Sequence, residues 1–250
     1  MTPSRYFSLL IKEIILSVVL SLASIAIFAN PVDEGKSMSP EVISLLERAR
    51  KSPGSESWAK LEGKINHRKK NSETIEHSIY VGIRFTPLMI FAQVLVDGKE
   101  DYNITQNFSP EAPTIIKKGP IESKIMEGIG IRPEELTLSF MYWEAEAFLG
   151  NENFKSGSCA KIALRSPSAD EKAVVFINRE YAFPLKVEWF KDGHEKPSRT
   201  MEVSSFKKEN NYWFVDEIIV YGPGWKSKIS FNETKAGAAD VGIPEDLFRK

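Results

Sequence analysis

Residues 173–193 read AVVFINREYAFPLKVEWFKDG, and residues 199–231 read RTMEVSSFKKENNYWFVDEIIVYGPGWKSKISF. Short apolar and aromatic runs recur there, separated by Ser-Pro, Asp-Gly, Asn-Asn and Gly-Pro-Gly groups at 166–167, 192–193, 210–211 and 222–224, each of which favours a tight turn. Connections this short leave no room for a crossover helix, so the predicted strands 154–164, 173–178, 185–191, 199–206, 212–221 and 225–231 form an antiparallel meander. By alternation Leu185, Val187 and Trp189 share one face; Trp213, Val215, Ile219 and Tyr221 oppose Tyr212, Phe214 and Ile218. The pattern does not say which face is inner.

The meander extends upstream. Ile75, His77, Ile79, Val81, Ile83 and Phe85 alternate with Glu76, Ser78, Tyr80, Gly82 and Arg84, a period of two sustained long enough to specify a strand. Trp58–His67 precedes it as another strand. Leu88–Val96 follows it, apolar on both faces until Asp97-Gly98 turns the chain; such a strand is covered on both sides or lines a cavity. Residues 97–131, rich in Pro and Gly, read as loop and short strands. Ser39-Pro40-Glu41 opens a helix with a capping serine, a proline at the first helical position and an apolar stripe through Val42, Leu45, Leu46 and Ala49, closed by Pro53-Gly54. A short internal helix starts at Pro133-Glu134-Glu135 and leads into the apolar run Leu138–Trp143. The fold class that follows is mainly β: a curved antiparallel sheet of about nine strands, an incomplete or half-open barrel, with the N-terminal helix and the short internal helix covering its concave face.

The first thirty residues read as an address. Arg5 and Lys12 precede the apolar run Ile14–Ala29, after which the chain turns polar at Asn30, Pro31 and Asp33. This is the layout of a secretory signal, and the run falls short of the roughly 20 residues of a spanning helix. Residues 1–29 are therefore expected to be removed, leaving 30–250 as a single domain outside the cytoplasm. With one cysteine, Cys159, the chain forms no internal disulfide, which suits a bacterial periplasm better than a small secreted scaffold. A net charge of −1 and a pI near 6.4 offer no general excess of positive charge for nucleic acid. A monomer is expected.

Catalytic and metal motifs are scarce. The sequence holds no Gly-x-Ser-x-Gly, no phosphate loop and no His-Glu-x-x-His. His67 and His77 would make a two-histidine metal site only with Glu73 or Glu76 beside them, and strand alternation already accounts for both. Cys159, mid-strand with no histidine nearby in sequence, reads as a small buried hydrophobe. No catalytic residue, metal or cofactor is assigned. What stands out is collective: a curved sheet with many large aromatics and no catalytic set, which suits an apolar cavity. Phe85, Ile90, Phe140, Trp143, Trp189, Trp213 and Trp225 are its expected lining.

The run Glu134–Pro167, with Glu135-Leu136 leading to aromatics and Gly157 and Cys159 on a strand that ends before proline, is followed by Pro184-Leu185-Lys186-Val187-Glu188-Trp189-Phe190-Lys191-Asp192-Gly193 and by the strand from Tyr212. In this order the motifs resemble those of the outer-membrane lipoprotein-sorting proteins of the LolA-like superfamily, over residues 57–235 and most firmly after 134. The resemblance implies an incomplete barrel closed by helices and a periplasmic carrier whose apolar cavity takes lipoprotein acyl chains, or other lipid, between membrane donor and acceptor proteins. It also implies a strand arginine bonded to the lid, a role for which Arg84 is the candidate. The alternative is an envelope sensor of the same fold that signals to a membrane partner. A hydrolase would instead depend on Cys159, His67 or His77. Residues 97–131 have no counterpart in the carrier pattern.

Overall fold

The computed structural model describes residues 38–51, 55–109, 112–155, 157–168, 170–209 and 212–249. The signal segment 1–29, the turn at 210–211 and the helix stop at Pro53-Gly54 lie outside them. Helix α1, Pro40–Arg50, begins as its sequence dictates: the Val42 amide donates to the Ser39 hydroxyl at 3.4 Å, Pro40 occupies the first turn, and Val42, Leu45 and Leu46 are buried.

Among the described residues one sheet of twelve antiparallel strands follows. Its first half comprises β1 (Ser57–Lys69), β2 (Thr74–Phe85), β3 (Met89–Val96), β4 (Glu100–Asn107) and β5 (Ile115–Lys118). The second half comprises β6 (Glu144–Phe154), β7 (Gly157–Arg165), β8 (Glu171–Asn178), β9 (Pro184–Lys191), β10 (Arg199–Glu209), β11 (Tyr212–Gly222) and β12 (Trp225–Ala238). The spatial order is β5-β4-β3-β2-β1-β12-β11-β10-β9-β8-β7-β6. The two halves join where β1 pairs with β12, and the sheet stays open between its edges β5 and β6. Those edges are consecutive in the chain. Their link, residues 119–143, holds the short helix α2 (Ile125–Gly128) and 3-10 turns at Pro133–Thr137 and Ser139–Tyr142.

Three more strands are present than the sequence pattern predicts, and each has a physical reason. β5 is exposed along its whole length, and β6 is mostly exposed, bulged twice, with Gly150 at φ 107. Edge strands with little buried surface write no hydrophobic period. β4 lies in the stretch read as irregular; Asp97 and Gly98 ahead of it stand at φ 53 and 62, the positive pair of a type I′ turn, and Lys99 donates to the Val96 carbonyl. The run Leu138–Trp143 is not a strand: Leu138 at φ 56 starts a 3-10 turn and β6 begins only at Glu144.

The inner face carries Leu61, Ile65, Val81, Val94, Ile104, Ile162, Val175, Val187, Ile218, Val220 and Ile229, all buried. Each such side chain contributes about 1.5–3 kcal/mol by leaving water. On β11 the inner set is thus Tyr212, Phe214, Ile218 and Val220. A register shift between Phe176 and Ile177 against β9 separates Leu185 from Val187 and Trp189: Leu185 joins Cys159, Val174 and Phe176 in a small cluster on the other face. The C-terminal segment folds back over that outer face of β1–β3. Tyr80 donates to the Leu247 carbonyl at 2.7 Å, Gln93 and Arg249 exchange hydrogen bonds, and Leu247 is buried.

The seam between β1 and β12 is bulged at Glu62/Gly63, where a Cβ on Gly63 would stand 2.0 Å from the Ser230 carbonyl oxygen. Backbone at the centre of a sheet cannot retreat, so Gly63→Ala is expected to cost about 2–3 kcal/mol. Urea unfolding checks this: the midpoint should fall at unchanged slope, and a midpoint equal to the parent's would mean the seam has slack.

Candidate ligand-binding site

The curved apolar face has to be covered, and the cover comes from residues 119–143 and α1 rather than from a second sheet. Met126, Ile129, Ile131, Phe140 and Met141 are all buried in the same core as the inner strand residues. Phe140 meets Trp189 edge to face, ring centroids 5.5 Å apart at 87°. Gly130, at φ 73, lies against the Trp225 indole so closely that a Cβ would be 2.4 Å from a ring carbon. No other residue type fits there without moving the ring.

Polar ties fasten this cover around its margin. On β4 the fully buried Glu100 accepts from the amides of Ile125 (2.6 Å) and Met126 (3.2 Å), from the Ser123 hydroxyl (3.1 Å) and from the Tyr102 hydroxyl. Burial pushes the Glu100 carboxyl up, but these donors outweigh it and hold the pKa below the usual range. At the β1–β12 seam His67 Nδ1 lies 2.8 Å from the Ser227 hydroxyl, which itself donates to the Ile129 carbonyl at 2.6 Å. On β10 the buried Arg199 pairs with Glu135, donates to the Gly130 carbonyl and stacks on the Trp189 ring at 4.3 Å. Arg132 grips Glu171 of β8 with two nitrogens, at 2.5 and 3.0 Å. The last tie comes from α1: Arg50 donates to the carbonyls of Met141 (2.5 Å) and Trp143 (2.6 Å), and Tyr142 returns a bond to the Arg50 carbonyl at 3.0 Å.

The expected lining residues divide accordingly. Phe140, Trp189 and Ile90 are buried in the core, and Phe85, Trp143 and Trp225 are half-buried against it. Phe85 stands opposite Ile90 in the β2–β3 register, while Phe140 and Trp189 touch each other. Trp213 does not join them: it is 70% exposed, because the neighbouring Tyr212 and Phe214 take the inner face of β11. Arg84 pairs with Glu56 at 2.9 Å, and the arginine that ties helix to cover is Arg50. Position in a last helical turn explains Arg50 only as a complement to the helix dipole, so its role is invisible in the sequence. Glu100 left a faint signal, a charged residue at the inward parity of Ile104 and Gln106.

The groups a hydrolase would use are otherwise engaged. His67 stands opposite Ile75 and His77 opposite Ile65, so the two histidines are not cross-strand partners; His77 binds Asp97 at 2.7 Å. The His67–Ser227 pair has the look of a base and its nucleophile, yet the hydroxyl proton is committed to Ile129 and Ser227 is wholly buried. The Cys159 thiol is buried on the outer face, and burial pushes its pKa up, away from the thiolate. Among the described residues no cluster of three metal-ligating side chains occurs.

No protein-family model matches the chain, and no curated protein matches it. Solved structures do. A DUF1329 family protein from Desulfovibrio piger superposes with a TM-score of 0.60 at 12% identity, over 84% of this chain and 98% of that one. A putative outer membrane lipoprotein-sorting protein domain from Vibrio parahaemolyticus gives 0.58 at 14% identity, over 84% and 95%. A LolA superfamily protein from Nitrosomonas europaea gives 0.54 at 14% identity, over 83% and 97%. The chain shares its fold with these three proteins. Residues 97–131, unmatched in the sequence pattern, supply β4, β5 and α2 to the sheet and its cover.

Two measurements test the ties. Burial, joined by Lys69 and His77, lowers the pKa of His67 below the ordinary 6.5. The unfolded chain then takes up a proton that the native chain refuses, so stability is full at higher pH and falls as pH drops through about 6.5. The urea midpoint should decline from about pH 7.5 to about pH 5.5 more steeply in the parent than in His67→Asn; parallel profiles would show that His67 carries none of the slope. Arg50→Ala removes two charge-assisted hydrogen bonds worth about 1.5–3 kcal/mol each. Hydrogen exchange should quicken at 139–143 and stay unchanged at 125–131; a uniform change across both would mean the cover moves as one piece.

Proposed function

We propose that the chain is a non-enzymatic carrier that binds acyl chains of lipoproteins, or of other lipids, on the inner face of its sheet and moves them through the periplasm towards the outer membrane. The observation that carries this reading is the nature of the cover. An apolar face this large is filled by side chains of a single connecting segment and one helix, not by a second sheet with its own ladder. Methylene groups can replace Phe140 and Met141 against the same wall, each buried methylene contributing about 0.8 kcal/mol. The lipoprotein-sorting description of the Vibrio domain, which shares the fold, supports the same ligand class. On this reading the chain matures by removal of residues 1–29 and works between a membrane donor and an acceptor protein.

The test is native mass spectrometry of residues 30–250 purified from a bacterial periplasm without detergent, followed by uptake of diacylglyceryl peptides of increasing chain length. One acylated molecule per chain is expected, with affinity rising about fourfold per added methylene until the face is filled. Uptake should also raise hydrogen exchange at 139–143, where the cover is displaced. An apo mass with no uptake at any length would return the inner face to the status of an ordinary core.

A further inference from the structure

A second feature lies at the end of the sheet, beside Trp225. A cleft of about 770 Å³ opens where the β1–β2 and β11–β12 hairpins end, and Arg68, Lys69, Lys70, Lys226 and Lys228 line it against one acid, Glu202. Even-numbered residues of β1 and β12 point away from the core here, since Ile65, His67, Ser227 and Ile229 are the buried ones. The register then sets Arg68 directly opposite Lys226, with Thr74 beyond it on β2 and Tyr221 on β11. Like charges facing each other across a strand pair are destabilising unless something neutralises them.

The neighbouring acids do not. Glu76 is taken by Lys64 at 2.8 Å and Glu217 by Lys228 at 2.5 Å; Glu202, held by the Tyr221 hydroxyl at 2.7 Å, is the one acid in the lining and supplies a single charge against several cations. Among the described residues no carboxylate lies within ion-pair distance of Arg68, Lys69, Lys70 or Lys226. Gly222 lies against the Trp225 indole in the lining, and the Lys70 amide binds the Gly224 carbonyl at 2.7 Å, fixing the two hairpin tips side by side. The result is four cations without an ion-pair partner, set against the single carboxylate of Glu202, on a concave surface with hydroxyl and amide donors at Thr74 and Asn66.

We propose that this cleft binds a phosphate-bearing anionic ligand, its oxygens held by Arg68, Lys69, Lys70 and Lys226. A guanidinium meets phosphate through two parallel hydrogen bonds, and three ammonium groups supply charge without demanding one orientation. An anionic phospholipid headgroup and a soluble phosphate compound share this chemistry.

The experiment uses residues 30–250 in two arms: titration with inorganic pyrophosphate followed by calorimetry, and sedimentation with phosphatidylglycerol vesicles against phosphatidylcholine vesicles. Binding to the anionic vesicles alone identifies a headgroup site; binding of pyrophosphate identifies a site open to soluble phosphate. In either case Arg68→Gln combined with Lys226→Gln should weaken binding roughly tenfold or more. Its thermal midpoint should equal or exceed the parent's, because the opposed charges are gone. Lys64→Gln, a cation already paired, should change affinity little. No binding in either arm, or equal binding by parent and double variant, overturns the proposal. Because the inner face is untouched, acyl uptake by the double variant should be normal whichever way the result falls.

Discussion

Everything in this structure follows from the pairing of β1 with β12. By closing the chain on itself at that seam, it puts the two hairpin series side by side and leaves the free edges at β5 and β6, which are neighbours in sequence. The link between them must travel from one edge to the other, and the apolar face requires a cover. One segment, 119–143, answers both demands. Gly63 sits at the bulge in that seam because a side chain there would strike the backbone of β12.

A connecting segment laid over a core brings its own amides and carbonyls out of water, and these need partners. Regular structure meets few of them, since α2 and the two 3-10 turns are short. Side chains from β4, β10, the β1–β12 seam and α1 meet the rest, which is why the inner face carries Glu100, His67, Ser227 and Arg199 among its aliphatics. Buried charges of this kind cost several kcal/mol to desolvate and contribute less to stability than to a unique placement. Their value here is register: each tie meets a different stretch of the link, so together they allow one path across the sheet.

How much of this the sequence shows depends on range. The alternation of Ile75–Phe85, the turn at Asp97-Gly98 and the cap at Ser39 are local patterns, and the structure follows them. The edge strands β5 and β6 escaped because exposed strands have no apolar period to read. Leu185 and Trp213 illustrate a second limit: one register shift moves a residue to the opposite face, and on β11 both candidate faces were aromatic. The aromatics that pack on the inner face were legible as core candidates; the ties that fasten the cover were not. His67 finds Ser227 across 160 residues and Arg199 finds Glu135 across 64, and no spacing rule connects such pairs. Arg84, on a strand as the superfamily pattern suggests, lacks the contact that Arg50 makes from the helix.

The ties are not equal, and their inequality bears on how a ligand could reach the inner face. Separating Arg199 from Glu135 would leave an uncompensated charge in a dry site, a cost of about 3–5 kcal/mol. Freeing Glu100 from the α2 amides would strand a carboxylate that is 0% exposed. The Arg50 bonds differ in kind: their acceptors are neutral carbonyls of the Ser139–Tyr142 turn and of Trp143 just before β6, where water can take the place of the guanidinium. A segment held firmly at 123–135 and loosely at 139–143 opens from its loose end. Phe140 and Met141 lie at that end, and Phe140 is the group seated on Trp189. On the carrier reading proposed above, an acyl chain would enter where the helix and the Ser139–Tyr142 turn part first, exposing the wall at Trp189 while the buried ion pair and the Glu100 cap stay closed.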